Sequence, residues 1–199
     1  MTRISLVRHG QTDWNLSKRI QGTSDIPLND MGRAQAMATG EILNRRQWDA
    51  IYSSPLSRAH ETAQIIAVET GLAAPVTIEA IAERNYGEAE GLTGQQILAR
   101  FPEGTVVPGR ESRDEVVRRA LPALLQLAET HRGKSLIVVS HGAVISSLVR
   151  HLSKGTLPAP GEVIANGSVH DFVVRNGALE LKKFNSGSDD RDLFTAAVT

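Results

Sequence analysis

A nearly continuous apolar run at residues 135–139 limits the possible folds more than any other segment of the chain. Runs of this kind are typical of strands buried on both faces, which occur mainly in parallel sheets covered by helices. Shorter apolar segments at residues 4–7, 50–52 and 75–78 are further strand candidates, and segments with helical spacing lie between them. This alternation predicts an α/β fold, a three-layer αβα sandwich with a mainly parallel central sheet.

Four segments between or after these strand candidates are predicted to be helices. The first begins at a cap on Asn29 or Asp30, and the second begins near Pro55 and stops at Gly71. The third begins near residue 114 and contains Pro122, for which we expect a kink. The apolar residues at helical spacing are Met31, Ala34, Ala38 and Ile42 in the first helix, Val117, Leu121, Leu124 and Ala128 in the third, and Val144, Leu148 and Leu152 in a fourth.

Residues 83–113 form a different kind of segment, because they contain five glycines and two prolines with only weak periodicity. Long loop-rich segments in compact domains usually have a functional role, and we expect one short helix near residues 95–101. Further on, residues 169–174 and 179–184 flank Asn176-Gly177, a pair typical of a hairpin turn. From residue 185 the composition becomes polar.

Charge and composition exclude several functional classes. The 22 Lys and Arg residues match the 22 Asp and Glu residues, and a duplex-binding domain usually carries a basic excess, so we expect no nucleic-acid partner. The absence of cysteine excludes a disulfide framework, a thiolate metal site and a cysteine nucleophile. No apolar run approaches the roughly 20 residues of a membrane-spanning helix, and no signal peptide is visible. We therefore expect a cytoplasmic protein with no membrane partner.

Two histidines follow predicted strands directly, in Arg8-His9-Gly10 and in Ser140-His141-Gly142. In open α/β sheets, ligands bind outside the carboxyl ends of the strands, so both histidines are expected at one site. Arg8 and Arg58 would add positive charge there, since arginine side chains and helix N-termini both favour phosphate. Glu83 would supply a carboxylate. This combination indicates a site that handles an anion.

Further blocks of the sequence match a known pattern: residues 6–15 (LVRHGQTDWN), Gln21-Gly22, Pro27-Leu28, residues 53–59 (SSPLSRA) with Glu61-Thr62-Ala63, Glu83 with Tyr86-Gly87 and Glu90-Gly91, and residues 139–142 (VSHG). With these matching blocks, the sequence resembles the histidine phosphatase superfamily, in its phosphoglycerate mutase-like branch. The resemblance runs in order from residue 4 to about residue 174, so it covers nearly the whole predicted domain. Thr23 departs from the pattern, because these proteins often carry a tryptophan at that position.

The resemblance implies a role for each matching residue. His9 would be the nucleophile that becomes phosphohistidine, and Glu83 would be the proton donor and acceptor. Glu88 and Glu90 are nearby alternatives for that acid. Arg8, Arg58 and His141 would complete the catalytic phosphate pocket, and the substrate-binding positions would be Arg8, Asn15, Gln21, Gly22, Arg58, His141 and Gly142.

The implied activity is that of a metal-independent phosphatase acting on a small phosphorylated metabolite, with no cofactor and no metal ion. The alternatives are a cofactor-dependent phosphoglycerate mutase and a non-catalytic module that binds a phosphorylated ligand. The short segment after Glu83 favours hydrolysis, because mutases of this branch usually carry a larger insertion there. We expect one catalytic domain at residues 1–184, with residues 83–113 covering the substrate, and a polar tail at 185–199. The oligomeric state is left open, with a homodimer among the options.

Overall fold

Six strands form one sheet in the computed structural model, which describes residues 1–185. The strand order is β3-β2-β4-β1-β5-β6. The pairs β3/β2, β2/β4 and β4/β1 are parallel, whereas β1/β5 and β5/β6 are antiparallel. The predicted mainly parallel sheet is confirmed. The strands are β1 (Thr2–Arg8), β2 (Ala50–Ser53), β3 (Val76–Thr77), β4 (Ser135–Ser140), β5 (Val169–Arg175) and β6 (Ala178–Lys183).

Helices cover both faces of this sheet and give the predicted three layers. Helices α5 and α6 pack on one face through a core that includes Leu124 and Leu148, and α2 and α3 pack on the other through Leu43 and Ile66. The helices are α1 (Asp13–Leu16), α2 (Asp30–Leu43), α3 (Ser57–Thr70), α4 (Gly94–Arg100), α5 (Arg113–Thr130) and α6 (Gly142–Leu152).

Strand β4 explains the continuous apolar run, because all six of its residues are buried. Leu136 and Val138 face the core under α5 and α6, and Ile137 and Val139 face the core under α2 and α3. Successive side chains of a strand point to opposite faces, so a strand between two helical layers needs apolar residues at consecutive positions.

Helix α2 is correctly predicted, with Asn29 as its N-cap, but its buried face is not the predicted one. Met31 and Ile42 are each 57% exposed, and the small residues Ala36 and Gly40 are buried instead. A Cβ atom on Gly40 would lie 2.6 Å from the Cβ of Glu69 on α3. The two helices therefore approach closely through small side chains, which the apolar spacing did not reveal.

Two further local differences have identifiable causes. Helix α1 lies between the strand candidate at residues 4–7 and the helix predicted from Asn29 or Asp30, where no helix is predicted, and a capping box of Thr12 and Asn15 stabilises its start. Helix α3 begins at Ser57 rather than at Pro55, and the Asp25 carboxylate accepts hydrogen bonds from the Ser57 N–H and hydroxyl there. Helix α5 runs from Arg113 to Thr130 with Pro122 inside it, and the kink at Pro122 stays a prediction.

The C-terminal hairpin forms as predicted. Asn176 and Gly177 both have positive φ angles, 51° and 75°, as a two-residue type I′ turn requires. Asn185, the first residue of the predicted tail, donates hydrogen bonds to the Val169 carbonyl and to the His170 ring. The rest of that predicted tail, residues 186–199, lies outside the described residues. None of the helices within residues 1–185 has both the length and the apolar character needed to cross a bilayer.

Candidate active site

The two predicted histidines lie side by side at the carboxyl edge of the sheet. β1 and β4 are parallel neighbours, with Arg8 paired to Ser140, so the residues that follow them are brought together. The rings of His9 and His141 are 5.1 Å apart between centroids, with an interplanar angle of 61°. Both side chains are buried, at 2% and 0% exposure.

Hydrogen bonds fix the orientation of His9. Its Nδ1 lies 2.6 Å from the carbonyl oxygen of Gly10, an acceptor only, so Nδ1 carries the proton and Nε2 keeps a lone pair. The Gly10 N–H donates to the Thr62 hydroxyl, and Asn166 donates to the His9 carbonyl. Gly10 also lies against the start of α2, where a Cβ would be 2.2 Å from the Gly32 carbonyl oxygen.

The surroundings keep both imidazoles neutral. Burial lowers the pKa of His9 well below its ordinary value of 6.5, and the nearby charges of Arg58 and Arg8 lower it further. Burial, followed by Arg58 and then His9, lowers the pKa of His141 in the same direction. A neutral His9 with a lone pair on Nε2 is the form that a nucleophile requires.

Arg58 places a buried positive charge at this edge from the first turn of α3. Its two terminal nitrogens donate to the carbonyl oxygens of Ser24 and Gly22, at 2.8 Å each. No carboxylate of residues 1–185 lies within ion-pair distance of this guanidinium, and its Nε is buried without a hydrogen-bond partner there. A buried cation held only by neutral carbonyls favours an incoming anion.

Arg8 lies beside the N-terminus of α6. It donates to the carbonyl oxygen of Ile164, and its guanidinium packs against Gly142. A Cβ on Gly142 would be 3.3 Å from Arg8 Nε, so the glycine lets the helix start close to the arginine. The structure thus brings Arg8, His141 and Gly142 together as the sequence predicted.

Glu83, in the segment between β3 and α4, reaches the same helix N-terminus. Its Oε1 accepts a hydrogen bond from the Arg84 N–H at 2.8 Å, and its Oε2 accepts from the Ala143 N–H at 3.3 Å. Ala143 is the second residue of α6, directly after His141-Gly142. The carboxyl group therefore lies at the start of α6, two residues after His141.

Arg119 supports the segment that carries Glu83. It donates to the carbonyl oxygens of Ala80 and Ala82 at 2.8 Å each and to the Glu83 carbonyl at 3.3 Å. Two further hydrogen bonds, at 2.7 and 3.0 Å, join the same guanidinium to the Glu111 carboxylate. These contacts tie the main chain before Glu83 to helix α5.

A cavity of about 510 Å³ opens beside Glu83. Its wall includes Thr23, Arg110 and Glu111, of which the last two belong to the segment predicted to cover a substrate. Thr23 occupies the position where the resemblance predicts a bulky tryptophan. The cavity borders Glu83, but His9, Arg58 and His141 are not part of its wall, so it has room for a group larger than phosphate at the Glu83 side of the site.

The two alternative acids have other contacts. Glu88 is exposed and pairs with Arg100. Glu90 accepts hydrogen bonds from the main chain and hydroxyls of Thr23 and Ser24 and from the Tyr86 N–H. Burial raises the pKa of the Glu90 carboxyl, but these hydrogen bonds outweigh it and hold the pKa below its ordinary value. Glu90 fastens the 22–24 loop, whose carbonyls hold Arg58.

The remaining predicted positions lie around Thr12. Asn15 Oδ1 accepts from the Thr12 N–H in the α1 capping box and from Asn166, which also bonds the His9 carbonyl. Gln21 Oε1 accepts from the Thr12 hydroxyl at 2.9 Å. Gly22 has a φ of 55°, and a Cβ there would be 2.0 Å from Glu90 Oε1, so glycine is required.

Sequence reasoning missed three polar residues that support the histidines. Ser54 contacts His141, Thr62 accepts from Gly10 N–H, and Asn166 donates to the His9 carbonyl. Ser54 and Thr62 belong to matching blocks of the resemblance, which therefore carried a usable signal. Asn166 follows no motif, and only the folded chain brings it to His9.

The described part of the chain contains no candidate metal site. Within residues 1–185, histidine, aspartate and glutamate side chains form no group of three or more that could hold a metal ion.

Two relatives are similar to this chain in sequence over most of its length, and one solved structure is similar in fold. The phosphatase PhoE of Bacillus subtilis (strain 168), described as uncharacterized, is 35% identical over 188 residues, covering 94% of this chain and 96% of the relative. A metal-independent phosphoserine phosphatase of Arabidopsis thaliana is 34% identical and covers 88% of this chain and 78% of the relative. The solved structure of a mycobacterial glucosyl-3-phosphoglycerate phosphatase with VO3 superposes with a TM-score of 0.81 at 32% identity, covering 93% of this chain and 99% of that one.

One family model matches a range of the sequence that includes all of the predicted catalytic residues. The model of the histidine phosphatase superfamily (branch 1) matches residues 4–187, a range that contains both histidines, both arginines and Glu83. The resemblance seen in the sequence and the predicted fold class are both confirmed. The chain belongs to the histidine phosphatase superfamily (branch 1), whose phosphatases work through a phosphohistidine intermediate.

Proposed function

We propose that this protein hydrolyses small phosphomonoesters, with His9 as the nucleophile and Glu83 as the proton donor and acceptor. The observation that carries the proposal is the buried neutral His9, with a lone pair on Nε2, beside a buried Arg58 that has no carboxylate partner among residues 1–185. Phosphoryl transfer depends on positioning a nucleophile in line and on neutralising charge on the equatorial oxygens. His9 supplies the nucleophile, and Arg58 supplies the neutralising charge.

In the first step, His9 Nε2 attacks phosphorus and the bond from phosphorus to the ester oxygen breaks. The electron pair of that bond leaves on the oxygen, which takes a proton from the Glu83 carboxyl. Arg8, Arg58 and His141 surround the transferring group, and the α6 N-terminus adds main-chain donors. The products are phosphohistidine and an alcohol.

In the second step, the Glu83 carboxylate removes a proton from water as its oxygen attacks phosphorus. The bond from phosphorus to Nε2 breaks, the electron pair returns to His9, and phosphate forms. Glu83 is thereby protonated again for the next cycle, so one carboxyl serves as acid and then as base. No metal ion takes part in either step.

The substrate class is a phosphomonoester whose leaving group fits the cavity beside Glu83. Relatives that are named as phosphatases of phosphoserine and of glucosyl-3-phosphoglycerate support a small metabolite with further polar groups. We further propose that residues 1–184 act as one catalytic unit, because the six-stranded sheet joins segments from residue 2 to residue 183.

A screen of phosphorylated metabolites with phosphate release as the readout tests the proposal. We expect hydrolysis of several phosphomonoesters, undiminished by EDTA and inhibited by vanadate, which adopts the five-coordinate geometry of in-line transfer. With 3-phosphoglycerate, we expect phosphate rather than 2-phosphoglycerate. Formation of 2-phosphoglycerate without phosphate would identify a mutase, and binding without any turnover would identify a non-catalytic module.

A further inference from the structure

A fully buried hydrogen bond joins Ser54 to His141. Ser54 follows the last residue of β2, and its Oγ lies 2.7 Å from His141 Nε2. Ser54 Oγ also accepts a hydrogen bond from the Leu56 N–H at 3.3 Å. The other ring nitrogen, His141 Nδ1, is buried and has no hydrogen-bond partner in residues 1–185.

Two arrangements of protons fit this pair, and they differ in how many polar groups stay unsatisfied. If Nε2 carried the ring proton and donated to Ser54, the buried Ser54 hydroxyl proton would have no acceptor, because the described residues offer it none other than Nε2. If the Ser54 hydroxyl donates to Nε2, the ring proton is on Nδ1, and Nδ1–H is the one group of the pair left without a partner. Buried polar groups in native proteins are nearly always satisfied, which favours the second arrangement.

The His141 ring lies beside the proposed nucleophile, where the transferring phosphoryl group is expected to sit. His141 is edge-to-face with the His9 ring, and Arg58 and Arg8 are the cations that act on it most strongly. An Nδ1–H group can donate to a phosphoryl oxygen, whereas a lone pair on Nδ1 would repel that oxygen.

We propose that Ser54 is a positioning residue that donates its hydroxyl proton to His141 Nε2 and so keeps the ring proton on Nδ1, aimed at the phosphoryl oxygen. This inference rests on the proposed function, because it assigns His141 a donor role in that reaction. The role of Ser54 is to select the tautomer of His141. Ser54 contacts the imidazole at Nε2, and the phosphoryl oxygen would lie at Nδ1.

The matched control is the neighbouring serine. Ser53 is also fully buried, and its Oγ lies 2.9 Å from Nδ1 of another histidine, His60. Ser53→Ala therefore removes a serine–histidine hydrogen bond made by a fully buried serine at the same strand end, to a histidine that is only partly buried, without touching His141. Ser54→Ala removes the bond that selects the tautomer.

We expect Ser54→Ala to lower kcat/KM by about 10- to 100-fold, the size expected for one misdirected donor, and Ser53→Ala to change it by less than about 3-fold. ¹⁵N NMR of labelled free protein near neutral pH reads the tautomer directly. In the wild type and in Ser53→Ala, His141 should carry its proton on Nδ1. In Ser54→Ala, the signals should shift toward a mixture of both tautomers.

A wild-type His141 protonated on Nε2 would overturn the proposal, as would Ser54→Ala with unchanged kcat/KM or losses of equal size in both variants. The NMR result for the wild type stands even if Ser54→Ala fails to fold. It also separates this inference from the proposed function, because the tautomer is read without turnover. A protein that shows the predicted tautomer but hydrolyses no phosphomonoester would contradict the function and not the hydrogen bond.

Discussion

Individual residues at the site owe their chemistry to their surroundings. Arg58 is buried with only carbonyl acceptors, whereas Arg110 lies at the wall of the open cavity, 5.9 Å from the Tyr86 ring centroid. Arg58 is therefore placed to stabilise the negative charge that develops during phosphoryl transfer, and Arg110 is placed to contact the rest of the substrate.

Alanine substitutions should separate these two arginine roles. Arg58→Ala and Arg8→Ala should each lower kcat/KM by roughly 10²–10³, the usual cost of removing one preorganised donor to developing charge. Arg110→Ala should instead change the ranking of substrates in a kcat/KM comparison. Arg118→Ala, on the exposed side of α5, serves as the control. Equal losses at Arg8, Arg58 and Arg110 would show that the phosphate pocket is misplaced.

Glu83 can be tested through the leaving group. An alkyl phosphate expels a poor leaving group that needs a proton, whereas p-nitrophenyl phosphate expels a stable phenolate that hardly needs one. Glu83→Gln should therefore lower kcat/KM for the alkyl ester by roughly 10²–10⁴, with a much smaller loss for the nitrophenyl ester. Equal losses on both esters would remove Glu83 as the acid and return attention to Glu88 and Glu90.

At the scale of elements, the loop at residues 22–24 positions Arg58, and the Glu90 carboxylate holds this loop in place. Glu90 binds Thr23 and Ser24, and the carbonyls of this loop hold Arg58. The loss of that carboxylate should loosen both the loop and the arginine. Glu88, two residues earlier, forms only an exposed ion pair with Arg100.

Glu90→Gln should destabilise the protein by about 1–2 kcal/mol, because several charge-assisted hydrogen bonds are weakened, while Glu88→Gln should cost less than about 1 kcal/mol. The folded-state pKa of Glu90 lies below its ordinary value of 4.5, so its stabilisation is present above that pH and is lost as the pH falls further. Urea unfolding at neutral and acid pH measures both effects. Equal stability of the two variants at neutral pH would contradict this role for Glu90.

Particular elements show what the sequence could predict. β4 was predictable because burial on both faces leaves an unbroken apolar run, and His9 and His141 were predictable because each ends such a strand. The buried face of α2 was not, because its contact with α3 depends on Gly40 and other small residues rather than on the apolar ones. Asn166 reaches His9 only through the packing of a distant loop, which leaves no local signal.

For the molecule as a whole, buried neutral histidines link stability to pH. His170 is fully buried on β5, its Nε2 lies 2.9 Å from the Ser168 hydroxyl, and burial lowers its pKa to about 4. Burial also lowers the pKa values of His9 and His141. The unfolded chain, with histidine pKa values near 6.5, binds protons that the folded protein excludes.

The free energy of unfolding should therefore be highest above pH 6.5 and decline as the pH falls from 6.5 toward 4. Each such histidine contributes a slope of up to about 1.4 kcal/mol per pH unit in that window. Urea unfolding at a series of pH values measures the slope, and NMR should show no titration of His170 between pH 7 and 5. A flat stability profile over that range, or a His170 that titrates near 6.5, would contradict this account.

A covalent phosphoryl group should form on His9, and the Glu83→Gln variant should allow it to accumulate and be measured. With p-nitrophenyl phosphate, this variant should still transfer the phosphoryl group, but the hydrolysis step that needs a base should be slow. Rapid mixing should give a burst of about one nitrophenolate per protein molecule. Mass spectrometry after a base quench should find one phosphoryl group on the His9 peptide, lost on acid treatment and absent from His9→Ala/Glu83→Gln. Turnover without a burst, or a phosphoryl group on any other residue, would contradict the account.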